Sequence, residues 1–145
     1  MKSQLTFRKT VIGNGAVSLV PEIDGVALTE IVAKFETGFD DSPVGGYGGI
    51  VPQAFRFGDL SKYYLGLEEE QWPAPGEAWL LGCECGEAGC WPLQTRIAVT
   101  DTTVVWSGFS QPHRKQRDYA AFGPFEFNRA QYVTAVRAAV VDLLR

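Results

Sequence analysis

Residues 95–107 read Thr95-Arg96-Ile97-Ala98-Val99-Thr100-Asp101-Thr102-Thr103-Val104-Val105-Trp106-Ser107, two runs rich in β-branched and aromatic side chains on either side of Asp101-Thr102. Side chains of this kind fit the pleated, half-buried surface of a sheet, and so short a break makes the two runs neighbours. The stretch is therefore predicted to be a β-hairpin. Working outward, Trp79-Leu80-Leu81 reads as a strand that leads straight into the cysteines of the chain. If the hairpin folds back beside this strand, the loop after Trp106 carries His113 towards those cysteines.

The cysteines all lie in Gly82-Cys83-Glu84-Cys85-Gly86-Glu87-Ala88-Gly89-Cys90-Trp91-Pro92. Residues two apart on an extended chain share a face, so Cys83 and Cys85 are expected on one side with Cα atoms about 6.6 Å apart. That is near the long end for a disulfide. Two thiolates on a tetrahedral zinc need sulfurs only about 3.8 Å apart, which tilted side chains can reach. Gly86 and Gly89 permit the turn that returns Cys90 to the same point. The only histidine in the chain, His113, supplies a candidate fourth ligand. Cys83, Cys85, Cys90 and His113 would make a closed Cys3His set with no open position, which is a structural rather than a catalytic zinc site. Other readings of the same residues stay open. The thiols can be inert core fillers, redox-active groups or partners in a Cys-His nucleophilic pair. An open zinc position with Glu84 or Glu87 nearby would suit metal-dependent hydrolysis.

Cys83-x-Cys85-Gly86-x-x-x-Cys90 resembles the zinc-binding tail that follows the catalytic domain of SET-type protein methyltransferases. In that family three cysteines at this spacing share a zinc with a cysteine of the main domain. The likeness covers eight positions, and the Asn-His-Ser segment that helps bind the methyl donor is missing here, so it implies no methyltransferase activity. More broadly, Gly82-Cys83-x-Cys85-Gly86-x-x-Gly89-Cys90-Trp91-Pro92-Leu93 together with Trp106-x-x-Phe109-x-Gln111-Pro112-His113-Arg114 resembles an uncharacterised family of small bacterial proteins. That resemblance spans most of the chain and implies no particular function.

Towards the N-terminus, Leu5 to Ile12 and Ala16 to Val20 flank Gly13-Asn14-Gly15, so Asn14-Gly15 is expected to be the turn of another hairpin. Asp24-Gly25 marks a further turn. Leu28 to Phe35 suits strand or short helix, with Thr29, Ile31 and Val32 favouring strand. Residues 38–52 form a glycine-rich loop that lacks the Gly-Lys-Ser/Thr ending of a phosphate-binding loop and is expected on the surface, with Asp40 and Asp41 at a solvated edge. Asp59 is placed to cap a short helix ended by Gly66, and Glu68-Glu69-Glu70 reads as an exposed face. His113, Arg114, Lys115 and Arg117 form the one local basic cluster, read as solvated loop. Trp91 and Trp106 are expected in the core.

At the other end, Asn128 and Gln131 make a capping box with Phe127 set to pack on Tyr132. The helix they start is predicted to run to about Leu144. Its stripe of Val133, Val136, Val140, Leu143 and Leu144 should cover one face of the sheet.

With 145 residues, 46% hydrophobic and 21% charged, the chain is expected to fold as one domain over residues 1–145. A net charge of -4 argues against a general nucleic-acid binder. No secretory signal is expected, and no apolar run approaches the roughly 18 residues of a membrane span. An odd number of cysteines fits a reducing compartment, hence the cytoplasm. The fold expected is α+β, a mainly antiparallel sheet of hairpins with the C-terminal helix on one face. The function expected is that of a non-enzymatic domain that binds a protein partner and contains structural zinc, because one histidine and a closed ligand count leave no catalytic set. The alternative is a thiol redox sensor or oxidoreductase.

Overall fold

The structure is a computed structural model that describes residues 2–13 and 15–143. It is α+β: two antiparallel sheets and a C-terminal helix. The first hairpin pairs β1 (Leu5–Val11) with β2 (Val17–Ile23) in unbroken register from Leu5↔Ile23 to Val11↔Val17. Its loop closes through Ile12 N–H to Ala16 O and Gly15 N–H to Ile12 O, both 2.8 Å. Asn14, half of the expected turn, lies outside the described residues, and Gly15 holds a left-handed φ of 82°. Asp24 and Gly25, both at positive φ, then turn the chain into β3 (Val26–Ala27).

Leu28 to Phe35, which suited strand or short helix with residue types that favoured strand, is the helix α1 (Leu28–Glu36). Leu28, Val32 and Glu36 are its buried residues while Glu30 and Lys34, which a strand would place on that same face, are exposed, a pattern that a helix produces. Here periodicity overrides the β-propensity of Thr29, Ile31 and Val32. A second correction concerns the glycine-rich loop. Tyr47 and Gly48 form the short strand β4, and Tyr47, Ile50 and Val51 are buried, so this part of the loop is closely packed into the core rather than lying on the surface. Asp59 caps α2 (Leu60–Tyr63) as expected, its Oδ1 accepting the Ser61 N–H at 2.9 Å.

In the second sheet the order is β4-β5-β6-β7-β8, with β5 at Glu77–Cys83, β6 at Leu93–Val99, β7 at Thr103–Ser110 and β8 at Phe125–Asn128. The predicted hairpin is β6 with β7, and β6 lies antiparallel beside β5. Two isolated bridges stitch the sheets together: Ser3 to Phe127 of β8, and Leu19 of β2 to Ile50 just past β4. The strands thus form a nearly continuous circuit around the buried Leu5, Leu19, Leu28, Ile50, Leu80, Leu81, Leu93, Trp106 and Phe127. Gly49 sits where any Cβ would fall on the Leu19 backbone, so only glycine lets the second seam close.

The last strand runs directly into α3 (Arg129–Leu143). Asn128 Oδ1 accepts the Gln131 N–H at 3.1 Å, and Phe127 packs on Tyr132 with ring centres 5.4 Å apart. The other half of the capping box is not made. The Gln131 side chain accepts the Leu5 N–H at 3.0 Å and donates to the Leu5 C=O at 2.6 Å, substituting for a strand on the open edge of β1. The buried stripe is Tyr132, Val136 and Ala139, rotated from the Val133-based one expected, with Val133 and Val140 only half-buried. Tyr132 causes the rotation: its hydroxyl accepts from Trp106 Nε1 at 3.0 Å and donates to the Tyr64 carbonyl. Leu144 lies outside the described residues.

Candidate metal centre

Strand β5 delivers Cys83 and then stops, because the chain doubles back on itself. The turn is made by Gly86 N–H to Cys83 O at 3.0 Å, with Gly86 at a φ of 99°. Cys83 N–H then reaches Glu87 O at 3.3 Å, and a short 3-10 turn (Ala88–Cys90) returns the third cysteine, with Cys90 N–H on Glu87 O at 3.2 Å. Gly82 allows this fold-back, since a Cβ there would lie 2.7 Å from Ala88 Cα. The loop is also held from outside by Glu84 N–H on Gly46 O at 3.1 Å. Cys83 and Cys85 therefore meet across a tight turn rather than along an extended strand.

The three sulfurs lie within 4.8 Å of one another, and all are free thiols. Cys83 is half-buried, while Cys85 and Cys90 are exposed. The Cys85 N–H points at the Cys83 sulfur, 3.4 Å away. Burial, with hydrogen bonding to Cys85, pushes the Cys83 thiol up to about 12. The Cys85 thiol moves the other way, lowered by the hydrogen bond from Cys83 and by the Glu87 backbone N–H. Of Cys83 and Cys85, the first thiolate to form is thus at Cys85, with Cys83 as its proton-bearing neighbour. Sulfurs this close, with backbone N–H groups aimed at them, can take a thiophilic cation, or two of them can join as a disulfide.

His113 reaches the cysteine loop but not the sulfur group, which among the described residues comprises the three cysteines alone. Its Nε2 sits 2.8 Å from Gly89 O, and its ring lies nearly parallel (12°) to Trp91 at 6.4 Å. The His113 backbone N–H is fixed by Gln111 Oε1 at 3.0 Å. The expected fourth ligand is, in this structure, a tether on the residue before Cys90. Glu84 and Glu87 are exposed and likewise outside the group.

Behind the loop lies a buried polar hub that was hardly legible in the sequence. Glu36, fully buried at the end of α1, accepts Gly45 N–H at 2.9 Å, the Tyr47 hydroxyl at 2.7 Å and the Tyr119 hydroxyl at 2.5 Å. Arg117 NH1 stands 3.3 Å from the same carboxylate, and Arg117 Nε bonds Asp41 at 3.0 Å. Arg117 and Asp41, both expected on solvated loops, are therefore ion-paired, and the Arg117 side chain is buried. Burial and the Glu36 hydrogen bond push the Tyr119 phenol up to about 12, and the same two causes raise Tyr47 further. Gln111 Nε2 links Tyr47 to Pro92 O, while Trp91 Nε1 donates to Gly45 O at 2.8 Å. The hub and the cysteine loop thus share the Gly45-Gly46 segment. The one sequence signal for the hub was Glu36 lying four residues beyond Val32 on the apolar stripe.

No family model, curated protein or solved structure matches this chain. No helix among the described residues is long and apolar enough to cross a membrane.

Proposed function

We propose that this chain is a non-enzymatic, cytoplasmic protein-interaction domain whose Cys83, Cys85 and Cys90 hold a structural zinc ion. The observation that carries the reading is the mutual approach of three sulfurs to within 4.8 Å at the end of a strand. Ligation needs them about 3.8 Å apart, a small further closure that side-chain rotation supplies. Bound zinc would replace the shared thiol proton as the link between the end of β5 and the 3-10 turn, and so fix a loop that touches the Gly45-Gly46 segment and His113. The cysteine trio lies apart from three hollows of the molecule. Cavities of 540, 310 and 250 Å³ are lined by the start of α3 or by residues between Gln94 and Pro124, and none of the three by a cysteine. Protein purified under reducing conditions is expected to contain one zinc per chain by elemental analysis and to lose thermal stability with a chelator. Metal-free native protein of unchanged stability would sink the reading.

A second reading, a thiol redox sensor or oxidoreductase, draws on the lowered Cys85 thiol beside two other sulfurs. A hydroperoxide would take the Cys85 thiolate to sulfenic acid, releasing water or an alcohol. A neighbouring thiol would then displace hydroxide from that sulfur as water and leave a disulfide. This reading requires metal-free protein in which peroxide removes two of the three thiols. Loss of none, or only over-oxidation of single cysteines, counts against it.

A further inference from the structure

We propose that the metal centre is completed from outside the chain: its fourth position takes an imidazole or thiolate side chain of a partner protein, so that the metal is itself the docking element. The inference rests on the zinc reading above and names how that domain holds its partner. The donors within the chain can be counted. It has three cysteines and one histidine, the three sulfurs are already together, and among the described residues no carboxylate, Glu84 and Glu87 included, joins their group. The histidine is committed elsewhere. Its Nε2 holds Gly89 O, its ring lies along Trp91, and its backbone is pinned by Gln111, whose amide is in turn held by Tyr47 and Pro92. Swinging the imidazole onto the metal would break the Gly89 bond and release the residue next to Cys90, loosening one ligand to gain another. His113 therefore serves the site best as a brace on the loop.

Zinc in a structural site almost always has four protein ligands, so three thiolates leave one place to fill. That place faces outward, because Cys85 and Cys90 are the exposed members of the trio. A side chain protruding from another protein can reach such a position.

The test uses the full chain loaded with cobalt(II) as a spectroscopic substitute for zinc, titrated with free imidazole and separately with N-acetylcysteine. The expected result is a starting spectrum of three thiolates plus an exchangeable ligand, and a saturable shift of the metal-centred bands with either probe. His113→Gln should leave the band positions unchanged, even if loss of the brace weakens metal uptake by about tenfold. Bands that neither probe moves, or that His113→Gln shifts, would show an internal fourth ligand and overturn the proposal. Zinc-dependent dimerisation of the pure chain would overturn it in favour of a second copy. Failure to take up any metal is a different outcome, which removes the zinc reading and this proposal with it.

Discussion

Glu36 shows what one buried charge demands. Its carboxylate is stable out of water only because a guanidinium pairs with it and two phenols and an amide N–H donate to it. Glu36→Ala would leave Arg117 with Asp41 as its remaining anionic partner and strip two buried hydroxyls of their acceptor. Breaking a buried pair from one side costs about 3–5 kcal/mol, and a urea melt of the variant should show a loss of that size. A loss below about 1 kcal/mol would mean that water replaces the carboxylate. The thiols make a second prediction at this scale. With Cys85 lowered and Cys83 raised to about 12, brief alkylation of metal-free protein at neutral pH should label Cys85 ahead of Cys83 by peptide mapping. The sign for metal follows from the same shifts. Cys83 holds its proton until about 12, so zinc must displace that proton throughout the physiological range, and apparent affinity should rise with pH. Equal labelling of both cysteines, or affinity that is flat between pH 6 and 8, would contradict the shared-proton arrangement.

Among the elements, the fold-back from β5 to the 3-10 turn depends on Gly82. A methyl group there would press on the Ala88 backbone, which cannot move without carrying Cys90 away from its partners. Gly82→Ala should therefore weaken zinc binding by about tenfold or more, while Cys83 and Cys85, which meet on the near side of the turn, remain together. Competition with a chromogenic chelator measures this, and unaltered affinity would show that the turn adapts. The elements that the sequence announced are those whose signal is local. Thr95 to Ser107 declares its hairpin by β-branched runs around a short polar break, and Asn128 declares the start of α3. The elements that escaped were defined by distant partners. Strand β4 has two residues, and β8 exists because Phe125–Asn128 finds β7. The Gln131 side chain was read as closing its own helix, yet it binds Leu5 at a separation of 126 residues. Helix α1 stayed open between strand and helix for another reason: its stripe includes a glutamate, which breaks an apolar pattern unless a buried partner is known.

Across the whole molecule, what the sequence left hidden lies where remote segments meet. The nearness of three cysteines followed from their spacing, and the approach of His113 followed from the hairpin, but the committed state of its imidazole depends on Gly89, Trp91 and Gln111 together. The hub was further out of reach, since its Glu36 to Tyr119 bond spans 83 positions. Hub and cysteine loop are nevertheless neighbours through one short segment. Gly45 N–H binds Glu36, Gly45 O receives Trp91, and Gly46 O holds Glu84 between two of the cysteines. Groups that share a backbone segment in this way should be energetically coupled by more than about 0.5 kcal/mol. Cys90→Ser and Glu36→Ala, made singly and together, test this in the presence of zinc. If the segment transmits order from hub to loop, Glu36→Ala already weakens zinc binding severalfold, and Cys90→Ser then costs less stability in the Glu36→Ala background than alone, because less bound metal remains to lose. Strictly additive losses, with zinc affinity unchanged by Glu36→Ala, would show that the loop is ordered by its own turn and that the hub only fastens the scaffold behind it.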